Sequence, residues 1–270
     1  VDIWSETGKK FSLHEPRMMQ YNSISSHRAH VKQKLHQINR SAGYGVRTQK
    51  TTPDAMDAAL HAIHAEITLG RVAFPDQPLH VIKVDLQDYY PSLAHQLLLT
   101  ILERYGVPEK QRLFFRTFLQ IPLQYAGQTG RVQRGIPNSR CLSDLLGEQV
   151  LHALDFYVRD VAHVQTIRLF DDICILTPSA GEALKAWQAI QRFCAGTGLT
   201  INAEKCGAIC INGERLPELP AAQPGWLMLT LDPDGQWNVN IAAFTQYVQQ
   251  AREEMKRIPA LLSQIEAYNI

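Results

Sequence analysis

Three aspartates carry the strongest chemical signal in this sequence. Asp85 lies near the end of a compact β-forming run that starts at His80, and the adjacent pair Asp171-Asp172 breaks residues 165–176 into two short apolar runs, in the manner of a tight hairpin. Hard divalent cations such as Mg²⁺ prefer carboxylate oxygen, and strand ends are a rigid way to make carboxylates converge. Two such cations about 3.5–4 Å apart stabilise the attacking and leaving oxygens of an in-line displacement at phosphorus, the chemistry of nucleotidyl transfer. Adjacent strands lie about 4.8 Å apart, close enough to bring Asp85 and the pair to one point. Taken alone, two aspartates in a turn are also the mark of a solvated loop.

The elements that must position these residues alternate along the chain. Thr51-Thr52-Pro53-Asp54 is a helix start signal, and an amphipathic helix is expected over residues 55–69. A loop with two prolines at 74–78 leads into a strand at 80–86, and Pro91-Ser92 opens a helix that runs to about residue 105. A second helix over 109–120 precedes a hairpin around Gly127 and Gly130. Leu145, Leu146, Val150, Leu151 and Leu154 recur at helical spacing, which predicts a long core-facing helix over 142–158. A helix over 183–194 ends at the Gly196-Thr197-Gly198 cluster, and short strands are expected around 199–202 and 207–211. Strand, helix, hairpin, helix, strand describes an α+β fold built on a split βαβ, ferredoxin-like sheet with the hairpin in its middle.

Charge is unevenly spread. Residues 1–50 carry nine Lys and Arg against three acids, in a chain whose net charge is only +1. A basic face joined to an acidic body suits a protein that grips phosphates on one side and metal ions on the other; a solvated face reads the same way. No apolar run approaches the roughly 20 residues that cross a bilayer, and the start, Val1-Asp2-Ile3-Trp4, lacks the basic and apolar regions of a secretion signal. An intracellular location is therefore expected, with no membrane partner. The missing initiator Met leaves open a longer parent chain and further domains. Five cysteines at irregular spacing argue against a disulfide framework, and Cys206 and Cys210 read as small buried residues rather than as half of a zinc site.

Four segments, in order, resemble the motifs of reverse transcriptases. Residues 84–93, Val-Asp-Leu-Gln-Asp-Tyr-Tyr-Pro-Ser-Leu, look like motif A; residues 134–143, Arg-Gly-Ile-Pro-Asn-Ser-Arg-Cys-Leu-Ser, look like motif B. Residues 168–176 around Asp171-Asp172 resemble motif C, and Gly198 to Lys205 resembles motif D. Gly225-Trp226-Leu227 is a faint match to the primer-grip motif E. The style of these motifs is closest to single-copy cellular reverse transcriptases of fungi and bacteria, and more distantly to telomerase.

The resemblance implies a right-hand polymerase: basic fingers in residues 1–79, a ferredoxin-like palm in 80–215 with a fingers insertion at about 108–135, a primer-grip-like hairpin in 216–237, and the start of a helical thumb in 238–270. It implies that Asp85, Asp171 and Asp172 hold Mg²⁺ or Mn²⁺. The backbone of Leu86, Gln87 and Asp88 would face the triphosphate. Tyr90 would set a ring against the sugar and exclude a 2′ hydroxyl; a core aromatic is the plain alternative. Asn138 would touch the incoming nucleotide, and Gly135, Pro137, Phe170 and Trp226 the template and primer. Lys205 matches the motif D lysine, a candidate general acid for the pyrophosphate leaving group, though a surface lysine reads the same way. Arg28, Lys32, Arg40, Arg47 and Arg71 are candidates for gripping phosphate.

Two departures from the family pattern matter. Asn138-Ser139 stands where Gln-Gly is usual, so the amide that meets the nucleotide is one methylene shorter. Leu169 stands where retroviral enzymes have an aromatic residue. The expected activity is RNA-templated addition of deoxynucleotides to a primer 3′ hydroxyl of DNA or RNA. The alternatives are an RNA-synthesising or template-independent polymerase of the same fold, and an inert RNA-binding scaffold.

Overall fold

Strand β1 (Leu79–Val84) pairs on both edges and organises the fold. The computed structural model describes residues 52–256, apart from Ala126, Asn138, Ser139 and Leu227. A four-stranded sheet runs in the order β4 (Thr166–Leu169), β5 (Asp172–Thr177), β1, β6 (Gly207–Ile211), and every neighbouring pair is antiparallel. Taken with the chain order, this is the expected split βαβ, ferredoxin-like arrangement, but the β4–β5 hairpin lies at one side of the sheet with β4 outermost, not in its middle, because β1 inserts between β5 and β6.

Side chains of a strand alternate between faces, and β1 is buried on both. Ile82 and Val84 join Ile173, Ile175 and Ala208 in a core shared with helices α3 (His95–Arg104), α5 (Arg140–Ala162) and α6 (Ala180–Thr197). The small buried side chains Ala183, Ala186 and Ala189 let α6 lie close. On the opposite face Leu79, Val81, Cys174, Ile209 and Ile211 pack against Ile63 and Ile67 of α1 (Thr52–Ala73) and against Trp226 and Leu231. Those last two belong to a three-stranded ribbon, β7 (Gly225–Trp226), β8 (Leu229–Leu231) and β9 (Trp237–Val239), which precedes helix α7 (Ile241–Lys256). Lys83, Asp85 and Asp172 share this second face by strand period. The described cysteines Cys174, Cys194, Cys206 and Cys210 are buried free thiols, and no described helix is long and apolar enough to cross a membrane.

Several expected elements shift. The helix expected over 91–105 is two: α2 (Tyr89–Ser92) stops at Leu93, whose ψ of 115° is extended, and α3 begins after Ala94. The break arises because Ala94 pairs with Arg134 and the His95 amide donates to the Gln133 carbonyl, so the chain is drawn into a bridge. No strand forms at 199–202; Ile201 alone bridges Leu86, through the Asn202 amide to the Asp85 carbonyl and the Gln87 amide to the Thr200 carbonyl. The excursion between α3 and α5 is α4 (Glu109–Leu119) and a hairpin of β2 (Leu123–Tyr125) and β3 (Gln128–Gly130), turned at Gly127. Helices α1, α5 and α6 each run several residues beyond their predicted spans. Helix α6 starts on Ser179, whose side chain accepts from the Glu182 amide, and stops at Gly198 in the left-handed region.

Gly207 marks where the sheet meets the loop that leads into the ribbon. A Cβ there would lie 2.5 Å from the Gln223 carbonyl carbon and oxygen, which are backbone and cannot rotate away. Gly207→Ala is expected to lose about 1–3 kcal/mol of stability, the usual range for forced overpacking. Urea denaturation measures it, and an unchanged midpoint would show that the loop yields.

Candidate active site

The β1–β5 register pairs Val84 with Ile173, so one step further sets Asp85 opposite Asp172. Between them lies Lys83, two residues before Asp85 on the same face and almost wholly buried. Its ammonium is 2.7 Å from Asp172 Oδ1 and 3.6 Å from Asp85 Oδ2. Trp226 closes over it with Nζ 6.0 Å from the ring centroid, and Trp226 meets Trp237 edge to face. Lys205 is largely exposed and reaches Asp85 from solvent, with Nζ 3.9 Å from Oδ2.

The β4–β5 turn consists of Phe170 and Asp171, since Leu169 pairs directly with Asp172. Asp172 is therefore the first residue of β5 rather than part of the turn. Two-residue hairpins favour positive φ, and Phe170 takes it at +53° without being glycine. Such strain costs about 1–3 kcal/mol and clusters at functional sites. Phe170 stays exposed at the tip. Burial raises the Asp171 carboxyl above the ordinary range; its own amide opposes the shift, the charges of Asp172 and Asp85 add to it, and Lys205 offsets it.

Beside the carboxylates, Leu86 is buried. The Gln87 amide donates to the Thr200 carbonyl. Asp88 precedes α2 with φ 45° and makes no side-chain cap. Tyr89 and Tyr90 pack edge to face, with ring centroids 5.2 Å apart. The Tyr89 hydroxyl donates to the Gly147 carbonyl at 2.7 Å. Tyr90 is half-buried, but its hydroxyl is fully buried and has no partner among the described residues; burial and then Asp144, Glu148 and Asp171 push it up to about 12. Gly135, at φ +85°, donates to the Leu93 carbonyl at 2.9 Å, and its own carbonyl accepts from His95 Nε2 at 2.8 Å. Tyr90, Gly135, Pro137, Ser143 and Asp144 line a cavity of about 550 Å³ between α5 and the β2–β3 hairpin.

The structure thus brings Asp85, Asp171, Asp172 and Lys205 together, with Leu86, Gln87, Asp88 and Tyr90 following on the next turn of chain. Trp226, read as a primer contact, is buried and faces Lys83 and Trp237. Arg71, read as a phosphate grip, donates to the Asp234 carbonyl in the ribbon. Asn138, Ser139, Leu227, the basic residues Arg28, Lys32, Arg40 and Arg47, and positions 257–270 lie outside the described residues.

Two features went unread in the sequence. Lys83 was legible as a lysine inside an apolar strand, one strand period from Asp85. The other is a buried network. Arg168 Nε donates to Asp155 at 2.7 Å and Arg168 Nη1 reaches Glu148 at 2.9 Å, tying β4 to α5, while Thr166 donates to Asp155 at 2.5 Å. Glu148 and Asp155 are seven apart on one helix face, a pattern that shows its meaning only when Arg168 is set against it.

Among the described residues no three His, Cys, Asp or Glu side chains are gathered tightly enough to hold a metal ion as they stand. The donor set nevertheless fits a hard divalent cation. Asp85, Asp171 and Asp172 are carboxylates at adjoining strand ends, their mutual repulsion contributes to raising Asp171, and the space between Asp85 and Asp172 already accommodates a positive charge, that of Lys83.

A sequence model of the family described as reverse transcriptase (RNA-dependent DNA polymerase) matches residues 11–250. No curated protein matches the chain. Similar solved structures include apo telomerase from Candida tropicalis truncated from its C-terminal domain, at 17% identity and TM-score 0.49, over 82% of this chain and 46% of that one. Telomerase from Candida albicans, in complex with a fragment of telomeric RNA, aligns at 13% identity and TM-score 0.50, over 79% of this chain and 41% of that one. The RNA-dependent RNA polymerase of a human picobirnavirus aligns at 15% identity and TM-score 0.42, over 67% and 33%. The chain spans less than half the length of each.

Two outcomes follow from this electrostatic arrangement. A carboxyl whose folded pKa is raised above its unfolded value weakens the fold above that pKa, and the penalty disappears as pH falls through it. Asp171→Asn is therefore expected to raise the melting temperature at neutral pH without divalent ions, with the gain vanishing near pH 3; an equal gain at both pH values would refute this cause. Arg168→Met leaves two part-buried carboxylates uncompensated and is expected to cost about 3–5 kcal/mol by chemical denaturation.

Proposed function

The chain belongs to the reverse transcriptase (RNA-dependent DNA polymerase) family, and on that premise we propose that it extends a primer 3′ hydroxyl with deoxynucleotides along an RNA template. One observation carries the reading: Asp85 and Asp172 stand opposite each other at the ends of the two central strands, with Asp171 in the adjoining turn. Two divalent ions, Mg²⁺ or Mn²⁺, would be held by these three carboxylates and would stabilise the attacking and leaving oxygens at phosphorus.

The chain's own residues supply the rest. Lys83 orients Asp172 and Asp85 through its buried ammonium. The backbone of Leu86 to Asp88 faces the triphosphate, although the Gln87 amide is already given to the Thr200 carbonyl. The ring of Tyr90 occupies the space that a 2′ hydroxyl would need, which favours deoxynucleotides. Lys205, exposed and within reach of Asp85, holds a proton at Nζ that can pass to the leaving pyrophosphate oxygen. Gly135, Pro137 and Phe170 contact template or primer. In this reading α4 and the β2–β3 hairpin belong to the fingers, the four-stranded sheet is the palm, the ribbon is the primer grip, and α7 begins the thumb.

Asn138, one methylene shorter than the usual glutamine, favours a second reading in which ribonucleotides are also used, or template is dispensable. Primed RNA template with labelled deoxy- or ribonucleotides and Mg²⁺ separates these. Template-dependent deoxynucleotide incorporation that falls to background in the Asp171→Ala, Asp172→Ala variant is expected. Equal incorporation by both proteins would sink the reading, and a preference for ribonucleotides would move it to the second.

A further inference from the structure

We propose that Gly147, in the interior of α5, is a specificity-determining residue: by lacking a Cβ it sets how deeply the Tyr90 ring sits, and so how much room the sugar has. The inference rests on the reading that Tyr90 faces the sugar of the incoming nucleotide.

Glycine is an unfavourable residue inside a helix, and Gly147 occupies a buried position on the core side of a 23-residue one. A Cβ built there would lie 2.7 Å from Cε1 and 3.3 Å from Cζ of Tyr90, and 3.4 Å from Cε1 of Tyr89. The first distance is one that real Cβ atoms essentially never show, so the Tyr90 ring rests directly on the bare helix backbone. The neighbouring ring is fixed at the same residue, because Tyr89 donates to the Gly147 carbonyl at 2.7 Å. Tyr90 has no such tether: its hydroxyl finds no partner among the described residues. Among the described residues contact alone sets its depth, with Gly147 below it, Tyr89 at its edge and the cavity of about 550 Å³ on its open side. A methyl group at 147 would press on the ring at Cε1 and lift it away from α5.

Single-nucleotide incorporation on a primed RNA template, with deoxy- and ribonucleotides, tests this in four proteins: wild type, Gly147→Ala, Tyr90→Ala and the double variant. Gly147→Ala is expected to raise the deoxynucleotide KM about tenfold, the scale of one methylene in a substrate pocket. Little change in kcat and stronger rejection of ribonucleotides should accompany it. Tyr90→Ala is expected to relax rejection of ribonucleotides, and in the double variant Gly147→Ala should be silent, since no ring is left to lift. Unchanged KM and discrimination in Gly147→Ala, while Tyr90→Ala relaxes selection, would overturn the proposal and leave the role of Tyr90 standing. An unaltered Tyr90→Ala would overturn both. Equal loss of activity from Gly147→Ala with and without the ring would show a merely structural role. If Gly147→Ala fails to fold, the double variant is expected to regain the melting temperature of Tyr90→Ala, and its failure to do so counts against the proposal.

Discussion

Like charges on adjoining strands, Asp85 buried and Asp172 half-buried, are the constraint that the site is built around. Asp85 and Asp172 project from the ends of the two central strands onto one face, where they repel each other and lose much of their hydration. Lys83 resolves this from within β1, contacting both carboxylates while Trp226 closes over its ammonium. The ribbon therefore does more than extend the chain toward α7: its tryptophan keeps water from the one buried cation that the two carboxylates share. Gly207 belongs to the same arrangement, since only a residue without a Cβ lets the chain before the ribbon pass so close to the sheet.

The other side of the site depends on α5. Arg168 pins β4, and with it the turn that carries Asp171, to Glu148 and Asp155 of that helix. Gly147, next to Glu148, receives the Tyr89 hydroxyl on its carbonyl and the Tyr90 ring on its bare backbone. Carboxylate turn and tyrosine pair are thus both referred to one helix. A buried ion network of this kind contributes little net stability, because desolvation offsets the attraction, but removing one partner is costly. Its effect is to fix position. The left-handed Phe170 is held by the same constraint, with one strand of its hairpin tied to α5 and the other to β1.

The fold class was legible because its signals are local. Apolar runs at strand length, the leucine and valine pattern of α5 and the Gly198 stop each follow from the physics of a few neighbouring residues, although Leu145 of that pattern is exposed while Leu146, Val150, Leu151 and Leu154 are buried. Local signals fail where a distant partner decides the backbone. The break between α2 and α3 exists because Arg134 and Gln133 draw Ala94 and His95 into a bridge, and nothing near residue 94 announces it. Residues 199–202 meet the chain beyond β1 in a single bridge, Leu86 to Ile201, rather than as a strand. The helices extend past their predicted spans because packing supports end turns that local preference alone does not.

Sequence alone determined the chemistry available: three aspartates, the tyrosine that follows five residues after the first, and a lysine at 205, in an order that matches one enzyme family. Residue type and spacing suffice for that, since donor hardness and strand period are properties of the chain itself. Only the tertiary structure decided how these groups are held. That Lys83 joins Asp85 to Asp172, that Arg168 ties β4 to α5, and that Gly147 lies beneath Tyr90 are contacts between residues 57 positions apart in the last case, and 89 in the first. Such contacts arise from the sheet register and from helix packing against it, and these exist only once the whole core has closed.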